Sequence, residues 1–310
     1  MAGGGRKRGR RPRRTTGSGG TGASGWLLGA LLVLLAGAAG WWLIAHRAPS
    51  KPVVSGPQVE KPARRPTKRA RHRAAKPTTA KEPERTVAHL ALVIDDLGRS
   101  VDEVAALDEL RVPLSYSVLP YEVMTPEVVA RLRGEHREIL CHLPMQPLDH
   151  RNPGPGALSE SMGDQALEEA TRAALARVPG AVGANNHMGS RLTEDPRAMG
   201  AVLQVLQQEG LFFLDSRTSA ESVGYRLARS LGLPAAQRQV FLDNDMSEAA
   251  VREQFARFLA RARESGGAIA IAHPHPGTLA VLRDEVPKAK AEGFVFVPVS
   301  FLLDRSGSPL

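Results

Sequence analysis

From His89 onward, short apolar runs rich in β-branched and aromatic residues alternate with segments of helical periodicity, and this alternation narrows the fold more than any other feature. The apolar runs fall at 90–94, 114–119, 138–142, 181–184, 211–214, 239–242, 268–272 and 294–299. Most are apolar at nearly every position, as strands buried on both faces must be. The intervening segments carry helix-start signals. Ser100 with Glu103 makes a capping box before 104–110, Thr125–Pro126 offers a cap followed by a first-turn proline, and Ser219 and Ser247 can cap two further helices. Residues 163–178 have the period of an amphipathic helix. The pattern predicts an α/β domain built as a distorted or incomplete parallel (β/α) barrel of about 7–8 strands. An open doubly wound sheet is the alternative, but no Gly-rich dinucleotide fingerprint supports it. The Pro- and Gly-rich stretch 146–162 is the one long irregular segment, of the kind that often borders a site.

Charge separates this domain from what precedes it. Before His89 there are 19 Lys and Arg against Glu60, Glu82 and Glu84, a net +16; the remainder has 22 basic and 29 acidic residues, about −7. The domain's sign argues against nucleic acid as a partner, because gripping a phosphate backbone requires positive charge. A single cysteine, Cys141, excludes an intramolecular disulfide and a four-cysteine zinc site. It precedes His142 in an apolar run and is expected to face the core, on the opposite side from its neighbour.

Residues 26–45 are uncharged and long enough to cross a bilayer as a helix, with Trp26 at one end and Trp41–Trp42 near the other. The basic cluster from Arg6 to Arg14 predicts a cytoplasmic N-terminus over 1–25. A cleaved signal peptide is the rival reading, with small residues at 36–40 as the cleavage region. Residues 46–87 are rich in Pro, Lys and Arg with few large apolar side chains, so they are expected to be a disordered tether. That tether is either a solvated spacer or an attachment to anionic envelope polymers and lipid headgroups. The arrangement predicts a single-pass protein of the inner (cytoplasmic) membrane whose domain, 88–310, lies on the periplasmic side.

Polar residues gather where the strands end. The first strand ends in Asp95–Asp96, the third in His142, the fourth runs into Asn185–Asn186–His187, the fifth ends in Asp215, the sixth in Asp243–Asn244–Asp245, and the seventh ends in His273 with His275 two residues on. In a parallel barrel all these ends share one face, the face that carries active sites. One carboxylate and two imidazoles can fill three positions of a zinc-like divalent ion and leave the fourth for water. A second carboxylate can serve as base and a further histidine as acid.

The segments VIDDLG, CHLPMQP, GANNHMGS, FFLDSRTS and AIAHPHPGT, in this order, resemble the divergent polysaccharide deacetylase family, a remote relative of the NodB-type carbohydrate esterases. The resemblance covers essentially all of 89–300 and implies a distorted β/α barrel that hydrolyses the N-acetyl group of a glycan with a divalent metal, zinc. It implies Asp95 as the base, Asp96 as a metal ligand and His273 as the acid. The His-x-x-x-His metal pair of the esterases is not intact. Counting forward from His187 the partner falls on Arg191, and counting back it falls on Gly183. His142 is therefore expected to join Asp96 and His187 as the third ligand.

Several residues carry two readings. Asn186 and Arg191 are candidate sugar or oxyanion contacts, or a turn former and a solvated cation. Asp215 contacts substrate or forms a structural ion pair with Arg217. His275 lines the site or shapes the turn between Pro274 and Pro276, and Asp243 and Asp245 belong to the strand-end cluster or only cap the helix near Ser247. Besides hydrolysis, the sequence leaves open a catalytically inactive glycan-binding or scaffolding protein on the same fold, and an amide hydrolase of peptide cross-links.

Overall fold

The computed structural model describes residues 87–303. The expected cytoplasmic N-terminus, the membrane span at 26–45 and nearly all of the tether lie outside the described residues; among those described, no helix is long and apolar enough to cross a membrane.

Nine strands form one sheet: β1 (His89–Leu97), β2 (Ser115–Val118), β3 (Glu138–Met145), β4 (Gly183–Met188), β5 (Phe212–Asp215), β6 (Ala235–Gln237), β7 (Val240–Phe241), β8 (Gly267–Ala272) and β9 (Val295–Val297). Every pairing is parallel, in the order β6-β5-β4-β3-β2-β1-β8-β7, with β9 joining β1. The helices α1 (Val101–Asp108), α2 (Thr125–Gly134), α3 (Asp164–Arg177), α4 (Pro196–Gln208), α5 (Gly224–Ser230), α6 (Glu248–Ser265) and α7 (Pro276–Ala291) lie between strands.

The two edge strands, β6 and β7, are consecutive in the chain. Between them Arg238 N donates to Asp215 O of β5 and Gln239 N donates to Ile269 O of β8, 3.0 Å each. One run of chain thus bridges the gap that a ladder would close in a regular barrel, which is the distortion expected.

The pleat sorts side chains into two cores. Leu90, Leu92, Ile94, Cys141, Leu143 and Phe213 face outward and pack under the helices with Val104, Leu132, Val202 and Phe258. Ala91, Val93, Leu140, Leu214, Ile269 and Ile271 face inward and are closed from below by Val297, Val299 and Leu302. Helices cover the outer face alone, so the doubly wound alternative fails. Cys141 is fully buried outward, and burial pushes its thiol up.

Local signals held in part. Ser100 caps α1 by accepting from Asp102 N at 3.1 Å, and Ser247 caps α6 by accepting from Ala250 N at 3.4 Å. Thr125 instead donates to Leu119 O at 2.6 Å, and Met124 takes the cap position. Ser219 donates to Glu194 Oε1, and α5 starts only at Gly224. β6 escaped the apolar pattern because it is three residues of Ala-Ala-Gln. The loop 146–162 is anchored by Gln146, whose Oε1 accepts from Ser159 Oγ at 2.8 Å and Glu160 N at 3.0 Å. Gly156 lies in it at φ +72°, where a Cβ would sit 2.1 Å from the Tyr121 ring.

Candidate metal centre

At the upper end of the inner core the apolar side chains give way to Asp95 on β1, His142 on β3, and Asn185 and His187 on β4. All have inward parity, and their strands end at the same face. Asp96 has the opposite parity and reaches the same centre because the strand breaks its pleat. The register with β2 shifts between Ile94 and Leu97, and Asp96 adopts φ 61°. A non-glycine residue held in that region costs roughly 1–3 kcal/mol, a strain found where function or packing enforces it.

Three ligand-capable atoms then converge. Asp96 Oδ1 lies 2.8 Å from His187 Nδ1 and 3.2 Å from His142 Nε2, and the two ring nitrogens are 3.2 Å apart. Asp96 Oδ1 is buried and makes no aligned hydrogen bond despite these neighbours. Tetrahedral sites with bonds of about 2.0–2.1 Å have ligand–ligand edges of roughly 3.3 Å, close to this triangle. One carboxylate and two imidazoles therefore fit a divalent ion such as zinc.

The next layer sets the rings. His142 Nδ1 donates to Asn185 Oδ1 at 2.9 Å, leaving Nε2 bare toward Asp96. Asn185 Oδ1 also accepts from Ser117 Oγ at 2.5 Å, and its amide donates to Asp95 Oδ1 at 2.9 Å and Ser216 Oγ at 3.2 Å. Asp95 Oδ2 lies 3.5 Å from His142 Nε2. Burial alone would raise the Asp96 carboxyl, but the adjoining imidazoles of His142 and His187 hold it well below the usual carboxylate range. Burial opposes a charge on His142, and the carboxylates of Asp95 and Asp96 more than offset this, raising its pKa.

His273 stands across the centre, with Nε2 4.0 Å from Asp96 Oδ2. Its Nδ1 is 3.0 Å from Asp243 Oδ1, while Asp243 Oδ2 accepts from His273 N at 2.7 Å and Thr278 Oγ1 at 2.9 Å. Burial disfavours its charge, but the Asp243 hydrogen bond and the charges of Asp95, Asp243 and Asp96 push its pKa up to about 9. Asp243 is thus not a cap for α6, and neither is Asp245, whose Oδ1 accepts from Ser247 N at 2.9 Å in the turn before the helix that Ser247 caps. Asp243, His273 and His275 also have mutually close ligand atoms. With both Asp243 oxygens already engaged, that group reads as an oriented imidazole rather than a second metal site.

The centre opens into a cleft of about 1100 Å³ lined by Asp95, Asp96, His142, His187 and His273, with Asn186 and His275 on its walls. Asn186 is a brace, its amide donating to Met188 O at 2.7 Å and its Oδ1 accepting from Ser216 N at 2.9 Å. His275 stacks on His273 with centroids 5.5 Å apart. Two expected contacts lie elsewhere. Arg191 points outward to Glu160, Nε to Oε2 2.7 Å, and clamps the long loop. Asp215 has the outward parity of Phe213 and accepts from Ser222 Oγ at 2.7 Å and Tyr225 N at 3.0 Å, under the helices; nor does it pair with the Arg217 side chain, since it meets only that residue's N–H, at 2.8 Å. Asn185 and Asp243, strand-end residues to which the sequence assigns no site role, orient His142 and His273.

A family model described as divergent polysaccharide deacetylase matches residues 92–303. The chain belongs to that family. Among relatives in sequence, YibQ, an uncharacterized protein of Escherichia coli K12, is 38% identical over 200 residues, covering 64% of this chain and 62% of YibQ. An uncharacterized protein of Haemophilus influenzae Rd is 38% identical over 194 residues, covering 63% of this chain and 69% of its own length. The match thus spans less than two thirds of YibQ. The crystal structure of the uncharacterized protein ATU2773 from Agrobacterium tumefaciens C58 shares the fold, with a TM-score of 0.65 at 24% identity over 72% of this chain and 92% of that one.

Proposed function

We propose that this divergent polysaccharide deacetylase is a metal-dependent hydrolase that removes N-acetyl groups from a glycan of the cell envelope. The observation that carries the reading is the convergence of Asp96, His142 and His187 on one small triangle of ligand atoms, flanked by Asp95 and His273.

Asp96, His142 and His187 would hold a divalent ion, with zinc the best match to the donor set. Such an ion lowers the pKa of a coordinated water and polarises the acetamide carbonyl. Asp95 keeps Oδ2 toward the centre while Asn185 holds Oδ1, so it is placed to take the proton of the attacking water. His273 leans toward its protonated form through the Asp243 hydrogen bond, which fixes its Nδ1 and directs its Nε2 across the centre, so it would supply a proton to the departing amine. Water oxygen bonds to the carbonyl carbon, the carbon–nitrogen bond breaks, and acetate and a glycan amine result. The proton accepted by Asp95 and the one given by His273 balance over the cycle.

The anchor at 26–45 and the basic tether would hold this domain on the periplasmic side of the inner membrane, within reach of envelope glycans. A second reading, glycan binding without turnover, draws on the altered metal pair, since neither Arg191, which turns to Glu160, nor Gly183 supplies the esterases' other histidine.

The test is acetate release by the full chain from N-acetylglucosamine oligomers and peptidoglycan fragments. The proposal expects release that a chelator stops and a divalent ion restores. No release from metal-loaded protein, with glycan binding indifferent to chelator, contradicts it and favours the second reading.

A further inference from the structure

One wall of the cleft carries two guanidinium groups that form no ion pair with a carboxylate among the described residues. Arg238 lies in the two-residue link that bridges the barrel seam. Its Nε donates to Ser216 O at 2.6 Å, one Nη donates to Arg217 O at 2.7 Å, and its plane lies over the Phe241 ring, 4.9 Å from the centroid. Arg217 stands beside it, donating to Gln237 Oε1 at 2.9 Å and Ala220 O at 3.2 Å. All of these acceptors are neutral. By contrast, the cleft-lining Arg151, Arg257 and Arg261 each pair with a carboxylate of their own segment.

The molecule spends structure to keep this pair in place. Arg217 sits at φ 48°, a strained position for a side chain of its size, and its N–H is held by Asp215 Oδ1 at 2.8 Å. The buried Asp215 therefore acts on the cleft indirectly, by fixing the backbone that presents Arg217. Burial and the neighbouring charge of Arg217 weigh against the charge on Arg238 and lower its pKa, a shift that the carboxylates of Asp215 and Asp95 offset only in part. Two like charges on a half-buried wall call for an anion between them. The backbone ties account for the fork of Arg238 but not for a second cation beside it.

The pair adjoins the metal centre on both sides. Thr218 Oγ1 donates to Met188 O at 2.8 Å, which joins the Arg217 loop to the end of the strand carrying His187. Phe241, under Arg238, packs on His273 with centroids 5.4 Å apart. An extended glycan with one acetamide at the centre would bring a neighbouring sugar to this wall.

We infer that Arg217 and Arg238 form an oxyanion subsite, so that the glycan is acidic, with a carboxylate or phosphate on a sugar next to the N-acetylated unit. The planar guanidinium fork suits either group. This rests on the deacetylase reading for the placement of the glycan, but the subsite can be tested without turnover. The full chain carrying Asp95→Asn is titrated calorimetrically with three tetramers: neutral N-acetylglucosamine, alternating N-acetylglucosamine and glucuronate, and a 6-phosphorylated N-acetylglucosamine tetramer. The subsite predicts that at least one acidic tetramer binds about tenfold or more tightly than the neutral one. The preferred tetramer identifies the group, and the preference shrinks as salt is raised. Adding Arg217→Gln should cut the ratio of acidic to neutral affinity by about ten- to hundredfold, the scale of a lost hydrogen bond to a charged group, and Arg217→Lys should restore part of it. Equal affinity for all three tetramers, or an Arg217→Gln effect that weakens acidic and neutral tetramers alike, overturns the subsite. Preferential binding of an acidic tetramer, with metal-loaded wild-type chain releasing no acetate from the same tetramers, would overturn the deacetylase reading and leave the subsite standing.

Discussion

His142 donates through Nδ1 to Asn185 Oδ1 at 2.9 Å, and this contact decides which ring nitrogen faces Asp96. Asn185 cannot reverse the bond, because its amide end is committed to Asp95 and Ser216. The ligand tautomer of His142 and the orientation of Asp95 are thus set by one buried side chain.

Replacing Asn185 with Ala should weaken divalent-ion affinity by about 10–100-fold, the usual effect of losing a partner that orients a ligand. It also strands buried donors on Ser117 and His142 and should lower stability by about 1–3 kcal/mol. Calorimetric metal titration and denaturant unfolding measure the two effects separately.

Asp95→Asn should leave metal content intact and cut the rate of acetate release by about 10²–10⁴-fold, the range for a lost general base. Metal analysis and acetate assays on the same preparation check both halves. Loss of the ion along with the activity would make Asp95 a ligand instead.

The His273 pair with Asp243 makes stability depend on pH in the chelated chain. The folded pKa, about 9, lies above the ordinary 6.5, so protonated His273 stabilises the fold. That contribution is complete below pH 6.5 and is lost as pH rises through about 9. The pH-dependent part of the stability difference between wild type and Asp243→Asn should be largest at the acid end of this window and vanish at the alkaline end. Thermal unfolding of both chains across the window tests the sign.

Arg191→Ala should leave acetate release near the wild-type rate, because its exposed side chain meets Glu160 rather than the cleft. Such pairs contribute about 0–1 kcal/mol. Asp215→Ala should instead destabilise the chain on the order of 3 kcal/mol, since it strands the hydroxyl of Ser222 and the N–H groups of Tyr225 and Arg217. Unfolding curves of the two variants make the comparison.

The strand-end residues were legible in the sequence because buried parallel strands are continuous apolar runs, and the polar residues that end them stand out. Which way each one faces was not. In Phe-Phe-Leu-Asp both faces are apolar, so nothing in β5 reveals that Asp215 shares the outward parity of Phe213. For Asp95 and Asp96 a regular pleat would have sent one carboxylate away from the other, and only the bulge and the left-handed Asp96 bring both to one centre. Asn185 and Asp243 were visible as strand-end residues, but their roles were not, because these depend on partners far along the chain, Asp95 and His273.

The most direct test of the account is the metal content of the full chain, loaded with zinc, desalted and measured by mass spectrometry beside Asp96→Asn, His142→Ala and His187→Ala. The account predicts one ion per chain in the wild type and its loss in each variant while circular dichroism stays that of a folded protein. A folded wild type that retains no ion, or variants that retain it, would contradict the assignment of Asp96, His142 and His187 as a metal centre.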